Sequence, residues 1–252
     1  MGIKYKKGII WILLIWIFVS CGSRKDIVYM QNAKKFETEV ETNTFEPKFK
    51  IDDILSIYIS SIDMASTSPF NLARGAGENL EELEYVIDKE GNIDFPVLGK
   101  IKLIGLSTGE AKELIRKRLV GGGYLKDPIV NIRIKNFRVT VLGQVRQPGT
   151  YSIAGERVTI LEALGLAGDL DIRGRRDNVL VIRDFNGVKT YTRINLTSKE
   201  FMRSPVYYLT QNDVVYVEPN KSVVKSSNLD NRTSVGISIL SVLIASIIAI
   251  TR

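Results

Sequence analysis

The chain has 252 residues, of which 44% are hydrophobic and 25% charged, and its formal charge is +7. That is enough chain for one large or two modest domains with cores of their own. It contains no histidine and a single cysteine, which excludes Ser-His-Asp and Cys-His catalysis, His-ligated metal sites and internal disulfides.

The N-terminus pairs a basic stretch, "MGIKYKKG", with an apolar run, "IIWILLIWIFV", over residues 9–19. The run has the length of a signal-peptide core and falls short of the roughly 20 residues that a spanning helix needs. Cys21 follows the small Ser20 in "FVSCGSRKD", a pattern that resembles a bacterial lipoprotein signal. Phe18 departs from it, because an aliphatic residue is usual there. On this reading residues 1–20 are removed and Cys21 is acylated, becoming the first residue of a lipidated tether over 21–46. The alternative is an uncleaved N-terminal anchor with an incidental cysteine. Removing Lys4, Lys6 and Lys7 leaves 32 basic against 28 acidic residues, too mild an excess to argue for nucleic acid.

The folded body begins at "PKFKIDDILSIYISSID". Leu55, Ile57 and Ile59 alternate with Ser56 and Tyr58, predicting a half-buried strand after a turn at Asp52-Asp53. Residues 63–82 read as a long loop. Tyr85 and Ile87, then Ile93 and Phe95, read as a hairpin turning at Gly91-Asn92. Ser107 with Glu110 forms a capping box that opens an amphipathic helix with Ala111, Leu114, Ile115 and Leu119 inside. After Asp127-Pro128, an alternating strand runs through Val130, Ile132 and Ile134.

A second unit follows. "VTVLGQV" is a strand, and Pro148-Gly149 suits the centre of a type II turn. Thr159 and Glu162 open a short helix, which Gly168 ends with positive φ. Asn186-Gly187 centres a hairpin, and "VYYLTQNDVVYVEP" gives the last strand. "FKIDDILSIYI" and "YLTQNDVVYV" echo each other, placing Asp53 and Asp213 just before an apolar strand. The echo fits either related units or coincidence.

Reactive chemistry is sparse. With Cys21 lipidated, thiolate catalysis and thiolate metal sites are excluded. The glycine runs 75–77 and 121–123 lack the Lys-Ser/Thr of a phosphate loop. Asp52-Asp53 and Glu81-Glu82 read as solvated charges rather than an acid/base pair. Arg173, Arg175 and Arg176 form a basic cluster among Asp169, Asp171 and Asp177. It reads as a solvated mixed-charge loop, the alternatives being a subunit contact or a face toward an acidic polymer. No catalytic residue, metal or cofactor is expected.

"FKIDDILSIYI", "YVIDKEGNIDFPVLGKIKLIGLSTGEAKELI" and "YLKDPIVNIRI" resemble the polysaccharide export domain of outer-membrane export lipoproteins (Wza-type). "VTVLGQVRQPGTYSI" with "TILEALGLAGDL" is similar to the β-grasp-like SLBB module that follows it in that family. The residues that carry the resemblance are Phe49, Asp53, Leu55, Asp127 and Pro128 in the first unit. In the second they are Gly143, Val145, Pro148, Gly149 and Tyr151. One SLBB module is present where the best-known members have two, and Asp169 stands where a second glycine usually ends the helix. The resemblance implies an α+β chain with the export domain over 47–137, SLBB module and final strand over 138–220, and a linker over 221–233. It also implies a non-enzymatic, ring-forming homo-oligomer in the outer membrane of a Gram-negative bacterium. On the same resemblance, lipid anchors would hold it there with most of the chain in the periplasm. Capsular or exopolysaccharide would pass through, received from an inner-membrane co-polymerase that regulates chain length.

The chain closes on "SVGISILSVLIASIIAITR". On a helical wheel Ser234, Ser238, Ser241, Ala245 and Ala249 share one narrow face, opposite Ile239, Leu240, Leu243, Ile247 and Ile250. Small residues so spaced suit close helix packing in lipid. Residues 234–252 are therefore expected to form a C-terminal transmembrane helix, one stave of an oligomeric barrel. The run over 235–250 would be about 24 Å long at 1.5 Å per residue, short for most bilayers but less so for the thinner bacterial outer membrane. The alternatives are a single-pass anchor, a tethered glycan-binding SLBB lipoprotein without a pore, and an inner-membrane scaffold anchored at both ends.

Overall fold

A computed structural model describes residues 27–33, 46–74, 81–185 and 187–227, with nine residues of the tail between 235 and 249. Cys21 and Ser234 lie outside the described residues. The architecture is α+β, built on two hydrophobic cores.

The first core gathers around a three-stranded antiparallel sheet, in which β1 (Ile54–Ser60) lies between β4 (Glu84–Val86) and β7 (Ile129–Ile134). Helix α1 (Thr108–Gly121) covers one face, burying Ala111, Ile115 and Leu119, while Leu114 is half-buried at its margin. Both halves of the Ser107–Glu110 capping box form, so two otherwise orphaned N–H groups are satisfied at once. Phe49, Leu55, Ile57, Ile59 and Ile132 fill the space between.

The expected 85–95 hairpin does not form. β4 pairs with β1, whereas β5 (Asn92–Phe95) pairs with β6 (Gly99–Lys102). Leu55 meets Tyr85 across the β1–β4 ladder, while after β4 the Asp88 carboxylate accepts the Asn92 N–H at 2.7 Å and Gly91 turns at φ +83° beneath Ile104. The loop over 63–82 also contains structure, a 3₁₀ turn at Ala65–Phe70 and a short pairing of β2 (Ala73–Arg74) with β3 (Glu81–Glu82).

The second core lies under a mixed sheet whose inner positions are Val139, Val141, Val179, Val181, Val215 and Val217. Its strands are β8 (Arg138–Gly143), β9 (Gly149–Ser152), β11 (Gly174–Phe185), β12 (Val188–Ile194) and β14 (Val214–Pro219). Their order is β12-β11-β14-β8-β9, with β14 parallel to β8. β11 and β12 form the predicted hairpin. Helix α2 (Ile160–Leu166) packs Ile160, Ala163 and Leu164 into this core and carries the predicted Thr159–Glu162 box. The single last strand of the sequence reading is broken into β13 (Tyr208–Leu209), which pairs with β10 (Val158–Thr159), and β14. Helix α3 (Lys221–Ser227) follows.

The tail requires a correction. No helix among the described residues is long and apolar enough to cross a membrane, so the expected transmembrane helix over 234–252, and the barrel built from it, are withdrawn. A spanning helix needs about 20 consecutive apolar residues, and this run is shorter and interrupted by serines. Of the small-residue face, Ser238, Ser241, Ala245 and Ala249 are exposed helical residues. The Ser241 hydroxyl donates to the carbonyl of Ser238 at 2.8 Å, which leaves it less to offer a neighbour.

Candidate functional site at the joint between the units

The two echoing segments prove to be the same turn built twice, and the two copies face each other. In the first, the Lys50 N–H donates to the Asp53 carboxylate at 2.8 Å and the Asp53 N–H returns to the Lys50 carbonyl at 3.3 Å. In the second, the Thr210 N–H donates to Asp213 at 2.8 Å and the Asp213 N–H returns to the Thr210 carbonyl at 3.1 Å. The third residue of each turn is left-handed, Asp52 at φ +67° and Asn212 at φ +63°. Asp and Asn tolerate that region better than other non-glycine residues do. Each turn launches a strand, β1 or β14.

Lys50 crosses between them. Its ammonium donates to Thr210 Oγ1 at 3.1 Å and the Gln211 carbonyl at 2.8 Å, and the side chain is buried. Burial lowers the Lys50 pKa, partly offset by nearby Asp213. Asp213 is fully buried and receives Arg183, whose guanidinium reaches it at 2.8 Å and also donates to the Tyr208 carbonyl. Asn136, in the link between β7 and β8, accepts the Ile54 N–H, donates to the Asp52 carbonyl and accepts from Gln211. Backbone polarity in the link is thus met from both units.

Asp53 differs from its counterpart. Only one of its oxygens is engaged, and Oδ1 finds no hydrogen-bond partner among the described residues. Burial pushes its pKa up to about 6, opposed by the Lys50 N–H and the Lys50 charge.

The remaining motif residues fall into two groups. Phe49 and Leu55 are fully buried core residues. Asp127, at φ +49°, turns the chain into Pro128 and β7. Gly143, Val145, Pro148, Gly149 and Tyr151 shape the far end of the second unit. Gly143 sits at φ +88°, where an added Cβ would lie 2.1 Å from the Val217 carbonyl oxygen. Val145 is buried and bridges to Leu170. The Tyr151 hydroxyl closes the loop by donating to the Gln147 carbonyl. The type II turn is not formed, because Gly149 lacks the positive φ it requires and instead opens β9.

Beside this loop α2 ends in a Schellman motif, Gly168 N–H to Gly165 O at 2.9 Å and Asp169 N–H to Leu164 O at 2.8 Å. Asp169 takes φ +71° in place of a second glycine. It also accepts the Tyr29 hydroxyl at 2.5 Å.

That last contact was not foreseen. Residues 27–33, assigned to the tether, dock on the second unit, with Met30 N–H on Leu196 O at 3.0 Å and Gln31 N–H on Thr197 O at 2.7 Å. Tyr29 covers the buried Arg176 guanidinium at 5.7 Å. Burial and the Asp169 charge raise the Tyr29 pKa. The arginine cluster therefore splits. Arg176 is buried, Arg175 pairs with Asp177 and Glu218, and Arg173 is exposed. Among the described residues no three His, Cys, Asp or Glu side chains converge on a possible metal position.

Two packed α+β units, locked through a buried polar joint and finished by a glycine-shaped loop, define a two-domain protein. Residues 42–135 match the polysaccharide biosynthesis/export protein family and residues 137–217 the SLBB domain. The chain belongs to the polysaccharide export family. Over 141 residues it is 29% identical to the EPS I polysaccharide export outer membrane protein EpsA of Ralstonia solanacearum, covering 54% of this chain and 36% of that protein. The protein of the same name from Ralstonia nicotianae is 36% identical over 90 residues, 34% of this chain and 23% of the relative. The chain thus matches about a third of the length of the first relative and under a quarter of the second.

Proposed function

We propose that this chain is a non-catalytic subunit of an oligomeric channel that exports exopolysaccharide at the outer membrane. The observation that carries this reading is the uninterrupted succession of an export domain and an SLBB domain over residues 42–217. The outer-membrane export names of both relatives support it. The subunit is anchored through acylated Cys21, holds its two domains in the periplasm and receives polymer from an inner-membrane chain-length regulator. Polymer passage requires a smooth, rigid conduit rather than a tight site, which suits a joint in which buried polar groups fix the domains in register. Deleting the gene in its host tests the reading. Polysaccharide should still be made but should accumulate inside the cell envelope, and normal secretion would contradict it.

A second reading, a tethered glycan-binding protein without a pore, is favoured by one surface. The outer face of the five-stranded sheet carries exposed Tyr191 and Leu142 beside Tyr216, Arg193 and Glu218. Aromatic rings with flanking polar groups suit sugar faces and hydroxyls.

A further inference from the structure

The outer face of the five-stranded sheet ends in a cleft of about 550 Å³, within the size range of sites that take small organic ligands. Tyr216, Pro219 and Val224 line it with apolar surface, and Arg175, Glu218 and Lys221 line it with charge. Tyr216 stands opposite Leu180 on β11 and Leu142 on β8. Its ring reaches over Gly143, where an added Cβ would come within 3.0 Å of the Tyr216 Cε2. The bare glycine thus makes room for the ring at this edge of the cleft.

The polar side of the cleft is fixed in advance. Arg193 donates to Glu218 Oε1 at 2.7 Å, while Asn178 at 2.7 Å and Arg175 at 3.3 Å donate to Oε2. A carboxylate offers about four acceptor positions, so Oε1 keeps room for a hydroxyl donor. The Arg193 side chain is 53% exposed, which leaves the rest of its guanidinium fork open beside that oxygen. Asp177 is held by Arg175 at 2.9 Å. That bond, with lesser help from the Lys221 charge, keeps the Asp177 carboxyl below its ordinary range. Arg175, Arg193 and Lys221 thus stand against two carboxylates that are both already engaged, and the charge left over for a ligand is positive.

We propose that this cleft seats one acidic sugar unit of the polysaccharide that the chain meets. The apolar face of a uronate ring lies on Tyr216, a ring hydroxyl donates to Glu218 Oε1, and the sugar carboxylate pairs with Lys221 and Arg193. The arginine cluster is thereby divided by role, Arg176 being buried within the second unit and Arg175 holding Glu218 in place. One open contact per subunit is weak enough to let a polymer pass. This inference rests on the polysaccharide-export reading and adds the sugar class and its seat.

The test titrates the full chain in mild detergent with tetragalacturonate and, separately, with the neutral maltotetraose, each followed by calorimetry. The expected result is saturable binding of tetragalacturonate, with maltotetraose about tenfold weaker or more. Lys221 is exposed, so Lys221→Glu leaves the fold intact, and it should weaken tetragalacturonate about tenfold. Tyr216→Leu, which removes the ring, should do the same. Lys189→Glu makes the same charge change at an exposed site near the start of β12, far from Arg193 along that strand, and should alter binding by less than about twofold. Equal affinity for maltotetraose, an equal loss in Lys189→Glu, or no saturable binding overturns the proposal alone when deletion of the gene still blocks secretion. Normal secretion from the deletion strain overturns the export reading beneath it.

Discussion

Gly143 and Gly149 stand six residues apart in one loop yet carry different obligations. Gly143 is held at positive φ with the Val217 carbonyl where a Cβ would go, whereas Gly149 has ordinary φ and a Cβ there would meet only Tyr151 at 3.8 Å. Gly143→Ala should therefore cost about 2 kcal/mol or more through strain and forced displacement, and Gly149→Ala should fall within about 0.5 kcal/mol of the parent. Urea unfolding of the two variants measures the difference. Asp53 gives a pH signature. Its folded pKa of about 6 lies above the ordinary 3.8, so the folded state holds the proton more tightly. The stability it contributes is fully present below about pH 4 and is lost as pH rises through 6. That is a swing of up to about 3 kcal/mol. Asp53→Asn keeps an acceptor for the Lys50 N–H but cannot ionise, so the unfolding midpoint of this variant should become nearly flat across that window. A midpoint that still falls as steeply would show that another group titrates.

At the scale of elements, the helices are closed by bonds that two residue pairs announce. Thr159→Ala removes the acceptor for the Glu162 N–H at 3.2 Å and should destabilise the second unit by about 1 kcal/mol, as should Ser107→Ala in the first. Thermal melts of both variants measure this. Those elements were legible in the sequence because capping, alternation and the Asn-Gly turn are local. The buried faces of β1, β7 and α1 followed from spacing alone. What escaped was decided by distant partners. Nothing near Tyr85 says that β4 will choose β1, since that choice rests on Leu55 meeting Tyr85 across the ladder. Residues 27–33 look featureless until Tyr29 finds Asp169, 140 positions away. The broken last strand could have been found. "TQND" repeats the polar turn of "KIDD", and the echo between them was the available signal. The C-terminal helix shows the opposite error, since an apolar stripe with small residues on one side suggested a span that the described helix does not supply.

At the scale of the whole molecule, the two domains share one covalent link and one buried latch. Arg183 with Asp213 supplies its charge pair, and Lys50 the bridge between the turns. Removing one member of a buried pair leaves the other uncompensated, so Arg183→Ala should cost about 3 kcal/mol. Lys50→Ala should instead loosen the coupling, and calorimetry should resolve two transitions where the parent shows one. A rigid joint matters only if subunits must present the same geometry to one another around a conduit. The particle mass of the full-length protein in mild detergent tests that claim most directly. A closed oligomer of several subunits is the predicted result, and a monomer at all concentrations would contradict the channel and leave a tethered binding protein in its place.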